Sequence, residues 1–146
     1  MDLKDIIATD DEVEPLWVAC PLADGFQVHI RPLGDKQAGI LEQAREVGWD
    51  EATMERRVTI NEEIYQHLMG EHMIAGWKGL TTAALKKLVL VKNPKKLAGF
   101  TGEIACEPEA RDLLMKHSAA FTNWVVRISG NIELFNRERE AAQKKT

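Results

Sequence analysis

The chain has 146 residues, of which 45% are apolar and 29% charged, a composition typical of a globular protein rather than a disordered or membrane-embedded one. This length suits one domain, and the net charge of −4 at pH 7 argues against bulk attraction to nucleic acid or an anionic membrane. The acidic N-terminus does not resemble a signal peptide, no stretch has membrane-spanning length, and two cysteines cannot form a disulfide framework, so we expect a cytoplasmic protein.

Composition and periodicity divide the chain into three segments. Residues 1–15 are acidic and lack periodicity, so we expect a loosely ordered arm. Residues 16–137 are predicted to form a single α+β domain, mostly α-helical, in which an N-terminal β-hairpin at about 16–33 precedes four to five helices, the last one long and amphipathic. Residues 138–146 are almost purely polar and are expected to form a C-terminal tail.

The hairpin has the clearest signal of any element. Its strands, at 16–20 and 26–31, flank a turn containing Asp24-Gly25, a pair that accepts the positive φ angle of a hairpin turn. Apolar and polar residues alternate in the second strand, which is typical of a strand with one wet face. Because a hairpin is marginally stable alone, we expect its apolar face to pack on helices or on a partner's sheet.

The first helix is predicted over about 35–47, between a cap at Asp35 and a stop at Gly48. The residues expected to face inward are Ile40, Leu41, Ala44 and Val47. Residues 49–59 are charged and poorly patterned, and are expected to form a short helix or a loop.

The second helix is predicted to begin after the cap residue Asn61 and to end at a corner over 76–79, where a tryptophan lies between two glycines. Its apolar residues recur every four positions and are Tyr65, Met69, Met73 and Trp77. Gly79 suits a left-handed C-cap, and Thr81-Thr82 can cap the next helix, at about 83–88. Trp77 is expected to be a core residue at this corner, which does not exclude a binding role.

The most regular apolar stripe lies near the C-terminus. After a helix that begins near Glu107-Pro108-Glu109, a single helix is predicted over 122–139, about 27 Å long at 1.5 Å per residue. The stripe has a 4-3-4-3 spacing, widened by Trp124 and Leu134, and consists of Phe121, Val125, Ile128, Ile132 and Phe135. Core packing is the first interpretation of this stripe, and contact with another chain is the second.

No arrangement of residue types indicates an active site. His67 and His72 are about 140° apart around a helix and cannot share a metal, and neither Cys20 nor Cys106 has a neighbouring base in sequence. We therefore expect no enzymatic activity, no cofactor and no metal site. A site assembled across the fold stays open as an alternative, which a deep pocket holding two or more histidines would favour.

One region departs from the overall charge. Residues 81–102 contain no acidic residue, and five lysines surround Asn93-Pro94, namely Lys86, Lys87, Lys92, Lys95 and Lys96. A solvated loop is the favoured interpretation, because no aromatic residue interleaves with the lysines to stack on bases. A small nucleic-acid-binding regulator that uses the 86–96 region is the alternative.

Three short motifs occur in a recognisable order. The first is an aromatic-Val-x-x-Pro strand at 17–21 with a second strand ending in Ile30-Arg31-Pro32-Leu33, and the second is the corner Trp77-Lys78-Gly79-Leu80-Thr81. The third is the last helix, with Phe121, Trp124-Val125, Ser129, Ile132 and Phe135. This series, over about 16–137, resembles the tail assembly chaperones of long-tailed bacteriophages and prophages. The chain departs from them at Gly34-Asp35, where a Ser or Thr cap is usual, and in its longer basic loop.

The resemblance implies a non-enzymatic protein that keeps the tape-measure protein soluble and releases it to the polymerising tail-tube subunit, without staying in the finished virion. The residues that we expect to form a self-association or tape-measure surface are Phe121, Trp124, Val125, Ile128, Ile132 and Phe135, supported by Trp77 and Leu80. Neither nucleic acid nor membrane is an expected partner. A different structural component of the tail or head-tail junction is the closest alternative.

Overall fold

The structure, a computed structural model, describes residues 1–144. Over this range the chain forms seven α-helices and five strands, besides two short 3-10 turns, so the predicted α+β class with a helical majority is confirmed. In chain order the elements are β1 (Leu16–Ala19), β2 (Gln27–Ile30), α1 (Lys36–Ala44), β3 (Arg45–Asp50), β4 (Glu55–Ile60), α2 (Glu62–Met73), β5 (Ile74–Lys78), α3 (Thr82–Leu88), α4 (Pro94–Ala98), α5 (Pro108–His117), α6 (Ala119–Ser129) and α7 (Ile132–Lys144).

The main sheet has three antiparallel strands in the order β1-β2-β5. Strands β1 and β2 form the N-terminal hairpin around a turn in which Gly25 has a φ of +79°. Phe26, directly before β2, is fully buried, as are Val28 and Ile30 within the strand. Helices cover this apolar face, since α6 packs on β2 and α2 packs on β5, α5 and α1.

The second helix ends earlier than its four-residue spacing predicts. Helix α2 stops at Met73, and residues 74–78 form strand β5, which places Trp77 opposite Val28 of β2. The helix ends here because the backbone groups at the edge of β2 need hydrogen-bond partners. The N–H of Arg31 donates to the carbonyl of Met73 at 2.8 Å, and residues 74–78 then pair with β2.

A second hairpin replaces the end of the first predicted helix and the segment at 49–59. Helix α1 ends at Ala44, and β3 and β4 pair directly, with Val47 opposite Val58. Ile40 and Ala44 are buried as predicted, but Leu41 and Val47 are exposed, which corrects their predicted inward position. Alternating β-branched and aromatic residues on both strands favour this ribbon over a continued helix.

The final stripe lies on two helices rather than one. Helix α6 ends at Ser129 and α7 begins at Ile132, so the single 27 Å helix predicted over 122–139 is wrong. Gly130 ends α6, with its N–H bonded to Val126 and Ile128, and the side chain of Asn131 accepts the N–H of Leu134 in the first turn of α7.

The described residues at both ends of the range 1–144 have regular structure. The N-terminal arm forms 3-10 turns at Leu3–Asp5 and Asp10–Glu12, and its Asp10 side chain is 5% exposed. The carboxylate of Asp10 accepts the backbone N–H groups of Gly34, Asp35 and Lys36 at 2.7–3.2 Å, so the arm caps α1. At the other end, residues 138–144 of the predicted polar tail continue α7, and residues 145–146 lie outside the described range.

Candidate interaction surfaces

The eight residues predicted to form a protein-interaction site lie mostly in the core. Six of them are buried, namely Trp77, Leu80, Phe121, Trp124, Val125 and Phe135. Ile128 is half-buried against the same core, and only Ile132 is well exposed, at 58%. In the folded chain these side chains therefore join the sheet to the helices, and a partner could reach most of them only if the core opened.

A row of aromatic rings runs through this core. Phe26 packs edge-on against Trp77 at a centroid distance of 6.0 Å and stacks on Phe121 at 5.9 Å, and Phe121 contacts Trp124 at 6.2 Å. The indole N–H of Trp77 donates to the Ile104 carbonyl at 2.8 Å, so its polar atom is satisfied. These contacts give Trp77 and Trp124 a structural role in joining β2, β5 and α6.

The motifs that carry the resemblance meet in space. The Ser129 hydroxyl donates to the Arg31 carbonyl at 2.6 Å, and the Leu33 N–H donates to the Ser129 carbonyl at 2.8 Å. The Arg31 guanidinium donates to the carbonyls of Glu71 and His72 at the end of α2. The segment after β2 is thus held by α6 on one side and by α2 on the other.

The β3–β4 hairpin presents an exposed apolar face. Its apolar face consists of Val47, Trp49, Val58 and Ile60, flanked by Arg45 and Arg56, because the pairs 45–60, 47–58 and 49–56 lie on the same side of the ribbon. Trp49 is 61% exposed and Val47 51%. The opposite face carries Glu46, Asp50, Glu55, Arg57 and Thr59. Within residues 45–60, only Asp50 is half-buried and the others are exposed, so the described residues leave the apolar face largely open to solvent.

A second exposed region is an open groove of about 690 Å³ between the N-terminal arm and α7. The arm contributes Ile6, Ile7 and Val13, and α7 contributes Ile132 and Phe135. Arg139 closes one side by donating to the Glu12 carbonyl at 3.1 Å. Ile132, the one well-exposed residue of the predicted stripe, therefore lines this groove.

The histidines are distributed over separate parts of the fold. His67 joins α2 to α5 through Asp112 at 2.8 Å, with Glu71 at 3.3 Å, whereas His72 contacts the Pro32 carbonyl and His29 contacts the Pro15 carbonyl. Burial raises the pKa of the Cys20 and Cys106 thiols, which keeps them protonated and weakly nucleophilic. Among residues 1–144, no three His, Cys, Asp or Glu side chains converge to hold a metal ion.

The five lysines of the 86–96 region are exposed on α3, on α4 and in the loop between them. None of them forms an ion pair with another described residue. Leu90 and Phe100 are exposed beside them. This surface is basic and unpaired, but it is formed by short helices of seven and five residues rather than by a groove.

Sequence reasoning missed the β3–β4 hairpin although its signal is present. Val47 and Trp49 alternate with polar residues, as do Val58 and Ile60, and this is the period of a half-buried strand. The charged residues that flank these pairs, at 45–46 and 55–57, masked the alternation.

The comparisons with known proteins add no assignment: no protein-family profile, curated protein or solved structure matches this chain. Each helix within residues 1–144 is too short or too polar to span a lipid bilayer.

Proposed function

We propose that this protein is a non-enzymatic tail assembly chaperone of a long-tailed phage or prophage. It binds the tape-measure protein in the bacterial cytoplasm, keeps it soluble while the tail-tube subunit assembles around it, and does not remain in the virion. The ordered motifs over 16–137 support this proposal, since they are in contact in the folded chain: Ser129 is hydrogen-bonded to Arg31, and Trp77 packs through Phe26 on Phe121.

The observation that carries the binding role is the exposed apolar face of the β3–β4 hairpin. A tape-measure protein is long and mostly helical, and an apolar helical stripe needs an apolar surface that covers it reversibly. Four apolar side chains on a thin ribbon give a small contact that separates easily, and many subunits along one long helix supply avidity. Arg45 and Arg56 flank the face and suit acidic residues beside such a stripe.

The stripe over 121–135 has a supporting role in this proposal. Its buried residues hold the body of the protein together, and only Ile132 at the arm groove remains available to a partner. In this proposal the primary partner surface is therefore the apolar face of the β3–β4 hairpin rather than α6.

Co-expression with the tape-measure protein tests the proposal, with soluble complex measured by pull-down and sizing. Val58→Lys places a charge on the apolar face, whereas Thr59→Lys places the same charge on the opposite face one residue away, where it lies opposite Glu46. We expect the first variant to lose the soluble complex several-fold and the second to retain it. A tape-measure protein that is equally soluble with and without this protein would overturn the assignment.

The second candidate function is nucleic-acid binding through the 86–96 region, and the five exposed, unpaired lysines favour it. Phosphate contacts release counterions, so the affinity would fall steeply with salt. Binding of a fluorescent DNA duplex at low salt, lost with Lys95→Glu and Lys96→Glu, would support this function. No binding at low salt would exclude it.

A further inference from the structure

The β3 edge of the second hairpin has free backbone hydrogen-bonding groups. The Asn61 N–H donates to the Ala44 carbonyl at 2.8 Å, which fixes the phase of the ladder. Because antiparallel pairs alternate between bonded and non-bonded, the bonded pairs are 46–59, 48–57 and 50–55. The N–H and C=O groups of Arg45, Val47 and Trp49 therefore point away from β4. The Arg45 N–H donates to the Glu42 carbonyl at the end of α1, so the free groups of this edge are the Arg45 C=O and both backbone groups of Val47 and Trp49.

This edge carries charged side chains at Arg45, Glu46 and Asp50 but lacks other features with which proteins protect exposed strands. Strand β3 contains no proline, no lysine and no bulge, and its residues are exposed along almost the whole strand. A two-stranded ribbon is also marginally stable in water, and a third or fourth strand would stabilise it.

We propose that β3 pairs with β3 of a second copy of this chain, antiparallel, around a two-fold axis at Val47. Two hairpins then form one four-stranded sheet with the order β4-β3-β3-β4. This proposal does not depend on the tail-assembly role. The second copy binds along the edge of β3, and the apolar face of the hairpin remains free for another partner.

Charge selects this register among the possible ones. With the axis at Val47, Arg45 of one copy lies opposite Trp49 of the other, where a guanidinium contacts an indole favourably, and Glu46 lies opposite Gly48. An axis at Gly48 would place Glu46 opposite Asp50, and an axis at Glu46 would place two glutamates together. The Val47 register alone of these three avoids opposing like charges.

Charge also favours the β3 edge over the β4 edge. Strand β4 carries Arg56 and Arg57 side by side, so two paired β4 strands would gather four guanidinium groups. A contact between β3 of one copy and β4 of the next would leave an edge free on each side and would form an open chain rather than a closed dimer.

The contact is small, with about five residues from each strand, so we expect a concentration-dependent dimer rather than a permanent one. The two apolar faces become continuous and carry eight apolar side chains, four from each copy. The dimer thus doubles the surface that one hairpin offers.

A pair of variants at Gly48 tests the register through the sign of its effect. A Cβ at Gly48 meets no atom within 4 Å, so either side chain is accommodated in the monomer. Gly48→Glu sets a carboxylate opposite Glu46 of the second copy at two places, and we expect sedimentation equilibrium to show a dissociation constant raised about tenfold. Gly48→Lys sets opposite charges there and should lower it.

Within one chain, residue 48 lies beside Arg57, so Gly48→Glu should stabilise the hairpin itself while it weakens the dimer. Loss of folding therefore does not explain the expected result. If both variants weakened association, an axis at Gly48 would be favoured. If neither changed it, the β3 edge would not be the contact.

Cross-linking gives a positive test. In the proposed sheet the two Val47 Cα atoms are about 5.5 Å apart, within disulfide range, whereas the two Val58 positions are three strand spacings, about 14 Å, apart. With an added oxidant, Val47→Cys should give a covalent dimer and Val58→Cys should remain at the wild-type background. A wild-type chain that is monomeric up to millimolar concentration would overturn the proposal.

Discussion

Gly79 is the residue at which two distant turns of the chain meet. Its φ is +79°, and a Cβ added there would collide with the carbonyl oxygen of Gly25 in the β1–β2 turn. We expect Gly79→Ala to lower the free energy of unfolding by about 1–3 kcal/mol through backbone strain, with the collision adding to it. Urea denaturation measures the loss. Gly76→Ala is the matched control, because a Cβ at Gly76 meets nothing within 4 Å and should change little.

Asp10 ties the N-terminal arm to the body through three backbone N–H groups at the start of α1. We expect Asp10→Ala to lower the free energy of unfolding by about 1–2 kcal/mol, because the three backbone N–H groups at the start of α1 lose their acceptor. Its neighbour Asp11 pairs with Lys36 in an exposed salt bridge, so Asp11→Ala should have a small effect on the melting temperature. Equal effects of the two substitutions would contradict the capping role.

The burial of individual residues was predictable where the local sequence pattern indicated a single type of element. Alternation predicted the inward side of β2, and Phe26, Val28 and Ile30 are buried. The prediction for Val47 was wrong because this residue lies three positions from Ala44, as on a helix, and two from Trp49, as on a strand. The helical period was applied past the end of α1 at Ala44. Val47 therefore fits both the helical period and the strand period, and only its pairing with β4 decides between the two.

At the scale of elements, the boundaries depend on distant partners. Strand β5 forms because it pairs with β2, which lies more than 40 residues earlier in the chain. The local sequence around Trp77 gives no sign of this distant partner. The break between α6 and α7 had local signals in Gly130 and Asn131. The regular spacing of the stripe continues across the break, so periodicity alone concealed it.

The β3–β4 hairpin is an element that the body should not need. The Ala44 carbonyl and the Asn61 N–H are 2.8 Å apart, so a short Gly-Ser-Gly linker can replace residues 45–60. We expect the shortened chain to keep its helical circular dichroism and to change its free energy of unfolding by less than about 1 kcal/mol, since the removed side chains are exposed. Loss of cooperative unfolding would show that the hairpin supports the packing of α1 on α2.

The whole molecule separates a packed body from an exposed hairpin. The amphipathic stripe over 121–135 belongs to the core of the body rather than to a free surface. Apolar periodicity predicts that a helix face is covered, but it does not show what covers it. The exposed apolar face lies instead in a segment whose charges hid its pattern. A partner surface can therefore be identified in this chain only once it is known which apolar faces are buried in the core.

Dimerisation and partner binding should be linked through avidity. Gly48→Glu changes the edge and the polar face and leaves the apolar face intact. We expect a short apolar helical peptide from the tape-measure protein to bind this variant as it binds the wild type. The full-length tape-measure protein should bind about a hundredfold more weakly, because each encounter engages one hairpin instead of two.

Surface-immobilised peptide and full-length protein, measured side by side, give the two affinities. Val58→Lys is the matched comparison, since it disrupts the apolar face and should weaken both while leaving the β3 edge unchanged. If Gly48→Glu weakened the peptide as well, the edge itself would contact the partner. If it left the full-length affinity unchanged, dimerisation and partner binding would be independent, and many separate hairpins along the partner would account for its solubility.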